Sequence, residues 1–280
     1  MITPQSQRVD ALVRHAATAW EEMAGRYARS SEPFPDIHAL LFFLAVLAIG
    51  RKLLYRGQVN AEWDLEPTLV RRLKEGWDSQ TIVEAKQRYV DQVHDLSDRR
   101  HLRLTEPEKE ALCQHYGFPT VYLDFTYNSA VAAFFALGGA DRYARPSTLP
   151  YKAGAVWAFD AMGESSDAVE LVTLPSQVMR PWLQHGEFLH YQSLISAENP
   201  PTIAKFIFRH HPDIWIDELY DLGPHSTAPL SIYLVPRRDP LEETARGIRS
   251  ELARNQEREG NADHDWFEFY RKFVDKAVHD

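Results

Sequence analysis

The pattern of apolar and polar positions is organised around residues 105–138. Thr105, Pro107 and Glu108 predict a helix start: the threonine can cap, the glutamate can return the bond three residues later, and proline suits the first turn. Gly117 predicts the stop, because glycine takes the left-handed cap without a steric penalty, and Pro119 prevents resumption. VYLDF (121–125) reads as a strand end, apolar with one acid. Asn128 and Ser129 can cap a second helix, AVAAFFAL, too apolar to be anything but buried, which Gly138 and Gly139 close. The result is helix, tight turn, strand, tight turn, buried helix.

On the N-terminal side, Val9, Leu12, Val13, Ala16, Trp20 and Met23 predict an amphipathic helix over 6–29. Asp36 then caps an apolar helix over 37–49 that Gly50 ends, and LLYRGQ (53–58) reads as a strand. Ile82, Val83, Tyr89, Val90, Val93 and Leu96 predict a helix over 79–104. Further on, 142–152 is a loop, 154–160 an apolar strand, 170–175 a short extended segment, and 176–190 is ambiguous. A strand over 230–236, a helix near 239–255 opened by Glu242 and Glu243, a polar turn and a last amphipathic helix complete the chain. There is no repeat, no low-complexity tract and no linker long enough to separate domains. The pattern predicts one α+β domain, a mixed or antiparallel core sheet flanked by helices.

Composition narrows the classes. Hydrophobic content of 44% and charged content of 25% are those of a globular protein. The net charge of −9 argues against broad nucleic-acid binding, which needs phosphate neutralisation. The one cysteine, Cys113, excludes an intrachain disulfide and a cysteine-type metal site, and reads as a small buried hydrophobe. No basic leader precedes an apolar core, and the longest apolar run, 39–49, falls short of the about 20 residues a membrane-spanning helix needs. A soluble, cytoplasmic protein with no membrane partner is expected.

Several chemistries lack their signatures: there is no GxxxxGK[ST], GxGxxG or GxSxG. His185, Glu187 and His190 do not have HExxH spacing, and no metal site is expected. Polar residues cluster instead at the junctions of the central segment: Gln114, His115, Tyr116, Thr120, Asp124 and Thr126. His115 and Tyr116 either face a ligand or satisfy buried backbone groups. Arg56 ends an apolar strand beside Gly57. Its planar fork suits phosphate or a ribose-linked pyrophosphate, and Gly57 allows a ligand close to the backbone. Alternatively Arg56 ties to a buried carboxylate such as Asp124 or Glu66 and holds the fold.

QHYGFPTVYLDFTYNSAVAAFFA, from Gln114, resembles the core motif of FRG domains, roughly QHxG-PT-LLDxT-xxx-AxxFA. Tyr55-Arg56-Gly57-Gln58, followed by Trp63, Leu65, Pro67, Thr68 and Arg71, resembles the family's RGQ and W-x-L-x-P-S with a following arginine. Arg180, Gln184, Gly186 and Phe188 are similar to its R-x-x-x-Q-x-G-x-F. The resemblance implies a helical extension over 1–34, an FRG core over 35–190, and a C-terminal strand and helices over 191–280 that complete the same domain.

The order of these motifs also resembles the ADP-ribosyltransferase fold, which carries an Arg-Gly or His-Gly on a first strand, a Ser/Thr strand before an AxxF helix, and a late Glu or Gln. That resemblance implies an NAD-dependent mono-ADP-ribosyltransferase-like enzyme, a toxin or phage-defence effector, with protein or nucleic acid as acceptor and an antitoxin or immunity protein as a possible partner. It implies Arg56, Gln184 and Glu187 as catalytic residues. NAD, as substrate, would be held by Arg56, Gly57, Gln58, His115, Tyr116, Thr126 and Tyr127. Gln184 and Glu187 are three apart, so a regular strand would face them to opposite sides; either a bulge at Gly186 brings them together or only one is in the site. The rival is a non-catalytic module that binds a nucleotide or a partner.

Overall fold

In the computed structural model, residues 33–49, 51–95, 103–139, 149–161, 169–191, 203–211 and 239–258 are described. The helices expected over 6–29 and after 265, and the strand over 230–236, lie outside them.

Helix α1 (Ile37–Leu47) begins where the Asp36 carboxylate accepts the Ala39 amide at 2.9 Å. Strand β1 (Leu53–Gln58) follows, then a short helix α2 (Thr68–Lys74) and the long helix α3 (Ser79–Asp95). Helix α4 (Glu106–His115) carries the full capping box, Thr105 and Glu108 each bonding the other's amide. Gly117 takes φ +80° just after it, the left-handed stop that the sequence predicts. Strand β2 (Tyr122–Thr126) leads into helix α5 (Ser129–Ala136), capped by Asn128 on the Ala130 amide. Strands β3 (Ala153–Asp160) and β4 (Leu171–Val172), helix α6 (Met179–Leu183), strands β5 (Gly186–His190) and β6 (Ile203–Arg209), and helix α7 (Pro240–Arg258) complete the described chain.

These elements form one α+β domain around a six-stranded sheet of order β4-β5-β2-β1-β3-β6, with every ladder antiparallel. The ladder from β1 to β3 runs through six residue pairs and that from β2 to β5 through five. Between β1 and β2 only Tyr55 and Thr126 pair. The sheet is therefore two three-stranded halves joined at one point.

Each half has its own core on one face. Leu53, Tyr55, Val156, Ala158, Phe206 and Phe208 pack with α1 and α5. Tyr122 and Phe188 pack with α3, α4 and α7 through Tyr89, Leu112, Tyr116 and Ile248. On the opposite face Leu54 and Phe159 from one half meet Leu123, Phe125 and Leu189 from the other, so this layer spans the junction.

Two elements were not expected from the sequence. Helix α2 has seven residues, too few to display a period, and Pro67 at its N-cap makes no side-chain capping bond. Strand β6 puts Ala204, Phe206 and Phe208 into the core while Lys205 lies over Trp157 on the other face, an alternation that goes unread when the run is judged by total hydrophobicity.

Gly57 fixes the distance from β1 to α5. A Cβ there would lie 1.8 Å from the Ala132 carbonyl oxygen and 2.7 Å from the Ala136 nitrogen, both helix backbone that cannot yield. Gly57 also lines the cleft between the sheet halves, but the space left by its missing side chain is filled by a helix. Gly57→Ala should destabilise the domain by about 3 kcal/mol, the upper range for overpacking a core. Chemical denaturation checks this, and a midpoint equal to wild type would refute the packing argument.

Candidate functional site

Past the Tyr55–Thr126 pair the two halves part, and a cleft of about 340 Å³ opens between the end of β1 and the strand β2, with α4, α5 and the α6–β5 turn around it. This lies within the size of small-molecule sites. Its polar walls come from stretches far apart in sequence.

Arg56 bridges the gap. One guanidinium nitrogen, Nη1, donates to the Asp124 carbonyl at 3.0 Å and lies 3.4 Å from Asp124 Oδ2. Arg56 is therefore tied to Asp124, as the structural reading expects, and it also lines the cleft. Gln114 Nε2 donates to the same Asp124 Oδ2 at 2.9 Å, and Gln114 Oε1 accepts from Thr120 Oγ1 at 2.6 Å. Gln114, Thr120 and Asp124 of the central segment, with Arg56, thus form one network that ends on Asp124. Its second oxygen, Oδ1, is shielded from solvent and makes no hydrogen bond.

Thr126 lines the cleft, but its hydroxyl is committed: it donates to the Gln184 carbonyl at 2.7 Å and accepts from the Asn128 amide at 3.1 Å. It thereby pins the α6–β5 turn beside β2 and holds Gln184 at the cleft wall. His185 completes that turn with φ +48°, a left-handed conformation that costs a non-glycine residue about 1–2 kcal/mol.

Gln58 is an anchor for the loop after β1. It accepts from Trp157 Nε1 at 2.6 Å and donates to the Asp64 carbonyl at 3.2 Å, while Lys205 Nζ donates to the Trp63 carbonyl at 2.9 Å. These bonds present Trp63, half-buried and edge-on to Tyr151, as an aromatic wall of the cleft.

His115 lines the cleft with its Nε2 shielded and unbonded. Burial, and then the charge of Arg180, hold its pKa well below the ordinary value, so the ring is neutral at pH 7.

Three expected residues are not in the cleft. Tyr116 is buried among Tyr89 and His115, with its hydroxyl 2.9 Å from Asp239, because the residue after a helix end turns into the core beneath α4. Tyr127 lies beyond the end of β2 under the Lys52 ammonium, 4.4 Å from its ring centre. Glu187 faces the other side of the sheet. Strand alternation aims Gly186 and Phe188 at the cleft and puts Glu187 with Leu189, opposite Phe125. Glu187 accepts from Thr173 Oγ1 at 2.6 Å. Gly186 makes no bulge, so Gln184 and Glu187 do not converge: only Gln184 is in the cleft.

Residues 51–144 match the family model of the FRG domain. This stretch is an FRG domain. No curated protein and no solved structure matches the chain. The FRG stretch carries β1, α4, β2 and α5, and with them Arg56, Arg71, His115 and Asp124. Arg180 and Gln184 reach the cleft from beyond it.

Arg71, Arg180 and Trp63 line the cleft without a role assigned from the sequence, and Asp124, expected only as a structural partner of Arg56, lines it too. All four lie in or beside the three FRG-like motifs, so membership in a motif was the available signal. The lining holds three guanidinium groups, Arg56, Arg71 and Arg180, against one carboxylate, Asp124. Arg180 shares its partner: Glu242 lies 3.1 Å from Arg180 and 2.7 Å from Arg249, one carboxylate serving two cations. In a chain of net charge −9 this is a local positive basin. Among the described residues no group of three or more His, Cys, Asp and Glu is placed to hold a metal, and no helix is long and apolar enough to cross a membrane.

Burial raises the Glu187 pKa, offset in part by the Thr173 bond and the Lys52 charge. A raised carboxyl pKa means that its contribution to stability is present below the ordinary value near 4.5 and is lost as pH rises through the folded value. Glu187→Gln should therefore be more thermostable than wild type at neutral pH, with the gap closing toward pH 4. Melting curves across that range check it; a variant less stable at neutral pH would overturn the assignment of burial as the dominant effect.

Proposed function

We propose that the cleft binds NAD and that the chain is an ADP-ribosyltransferase-like enzyme. The observation that carries this reading is that Arg56 and Gln184, from separate motifs, meet in one positively charged cleft with an aromatic wall. Arginine forks suit the pyrophosphate, and Trp63 offers a face on which a base or the nicotinamide can stack.

Breaking the bond from nicotinamide to ribose leaves positive charge on the sugar, while the nicotinamide departs neutral. The group that stabilises this charge best is an ionised carboxylate aimed at it. Glu187 does not reach the cleft. Asp124 does, with its side chain 41% exposed and Oδ2 fixed by Gln114 and Arg56, while Oδ1 stays shielded. We assign the electrostatic role to Asp124, with Gln184 positioning the ribose. The acceptor, protein or nucleic acid, would enter from the open side of the cleft.

The second reading, a module that binds a nucleotide without turning it over, is favoured by one observation. Asp124 already takes two donors from the protein, as a carboxylate that only maintains the fold would.

Incubation of the full chain with NAD labelled in the nicotinamide and in the adenylate separates the two readings. Released nicotinamide or label on an acceptor supports the enzyme. Binding without either supports the module. Asp124→Asn keeps shape and the Gln114 contact and should cut turnover by about 10²-fold. Glu187→Gln should leave turnover unchanged. The reverse pattern would return the catalytic acid to Glu187.

A further inference from the structure

Arg71 and Arg72 are adjacent on α2 and have opposite fates. Arg72 is neutralised: it lies 2.6 Å from Glu75 and its guanidinium sits over the Trp77 ring. Arg71 turns into the cleft, where its hydrogen bond is to a neutral group, Thr68 Oγ1, at 3.3 Å.

Two carboxylates are near enough to act on Arg71, Glu75 and Glu66. Both are committed elsewhere, Glu75 to Arg72 and Glu66 to Lys74. Among the described residues no carboxylate lies within ion-pair distance of Arg71. Its near charge in the cleft is a second cation, Arg56, and that repulsion adds to the cost of burial in disfavouring its charged form. Arginine cannot relieve this by losing its proton. The Nε atoms of both arginines are shielded and unbonded.

A structural arginine would be buried against an acid. Here two guanidinium groups share a cleft wall with one carboxylate, Asp124, which Arg56 and Gln114 already engage. We propose that Arg56 and Arg71 together seat a diphosphate group, with Arg71 the residue that sets the affinity. Two planar forks can each take oxygens of one phosphoryl unit, and the two negative units relieve the like-charge pair. This deepens the nucleotide reading above and depends on it only for the identity of the larger ligand. NAD, ADP and inorganic pyrophosphate share the chemistry; AMP has one phosphoryl unit and falls short of it.

The test titrates sodium pyrophosphate, ADP and AMP into the full chain at low salt, by calorimetry and by melting temperature. Pyrophosphate and ADP should bind and stabilise, with AMP weaker. Arg71→Gln should weaken pyrophosphate by about tenfold or more, the loss of a charge-assisted pair of bonds. Its ligand-free melting temperature should hold or rise, since a buried like charge is gone. Arg71→Lys keeps the charge and loses the fork, and should fall between. Lys74→Gln, on the exposed side of α2, should bind as wild type. The proposal is overturned by absent pyrophosphate binding, by AMP binding as well as ADP, or by Arg71→Gln with unchanged affinity. Pyrophosphate binding that needs Arg71, in a protein that neither binds nor consumes NAD, would sustain this site and sink the NAD reading. NAD turnover indifferent to Arg71 would do the opposite.

Discussion

The fold depends on how a sheet can be split without leaving its backbone unpaired. Tyr55 and Thr126 make the one pair between β1 and β2, and the Asp124 carbonyl beyond it has no β1 amide opposite. A shielded carbonyl without a donor costs about as much as a lost hydrogen bond. Arg56 supplies the donor from its side chain at 3.0 Å and spans a gap that a backbone amide could not. The same reach that stands in for the ladder holds the two halves apart, and the cleft is the space between them. A lysine would offer one compact charge in place of a fork that bonds the carbonyl and still faces the cleft.

The gap is stable because it is bounded on three sides by rigid contacts. Gly57 lets α5 lie directly on β1, so that strand cannot shift toward the helix. Thr126 ties the α6–β5 turn to β2 through the Gln184 carbonyl. On the far face Leu54, Phe125, Phe159 and Leu189 pack across the junction, so the halves are closed beneath the opening. None of these residues need touch a ligand for its loss to change the cleft. A variant that loses binding is therefore informative only beside its melting curve.

Local signals in the sequence were reliable where they act locally. The capping box at Thr105 and Glu108, the left-handed Gly117 and the Asn128 cap depend on bonds within four residues, and all are present as read. Strand alternation operates from Gly186 onward and removes Glu187 from the cleft, whereas Gln184 precedes the strand at the end of α6. What could not be read depends on tertiary register. The split follows from a ladder that stops after one pair, which no periodicity in either strand encodes. Likewise Gly57 offers backbone space in the sequence, but only the packing says that a helix fills it. Tyr116 and Tyr127 flank residues that do line the cleft, and one position along a helix end or strand is enough to turn a side chain away from it.

Charge distribution narrows what the cleft can take. His115 is neutral at pH 7 because burial and Arg180 both oppose its protonation, so it adds no further cation and can exchange a neutral hydrogen bond with a hydroxyl or amide. The positive charge therefore resides in arginines that do not titrate, and the basin persists across neutral pH. Around it the chain carries a net −9. A long polyanion would gain from the phosphates inside the cleft, while those outside it would meet the repulsion of the chain's net negative charge. A nucleotide small enough to place all of its charge inside suffers no such loss. On the proposed nucleotide reading, a positive lining within a chain of net negative charge argues for a small ligand that places all of its charge inside the cleft.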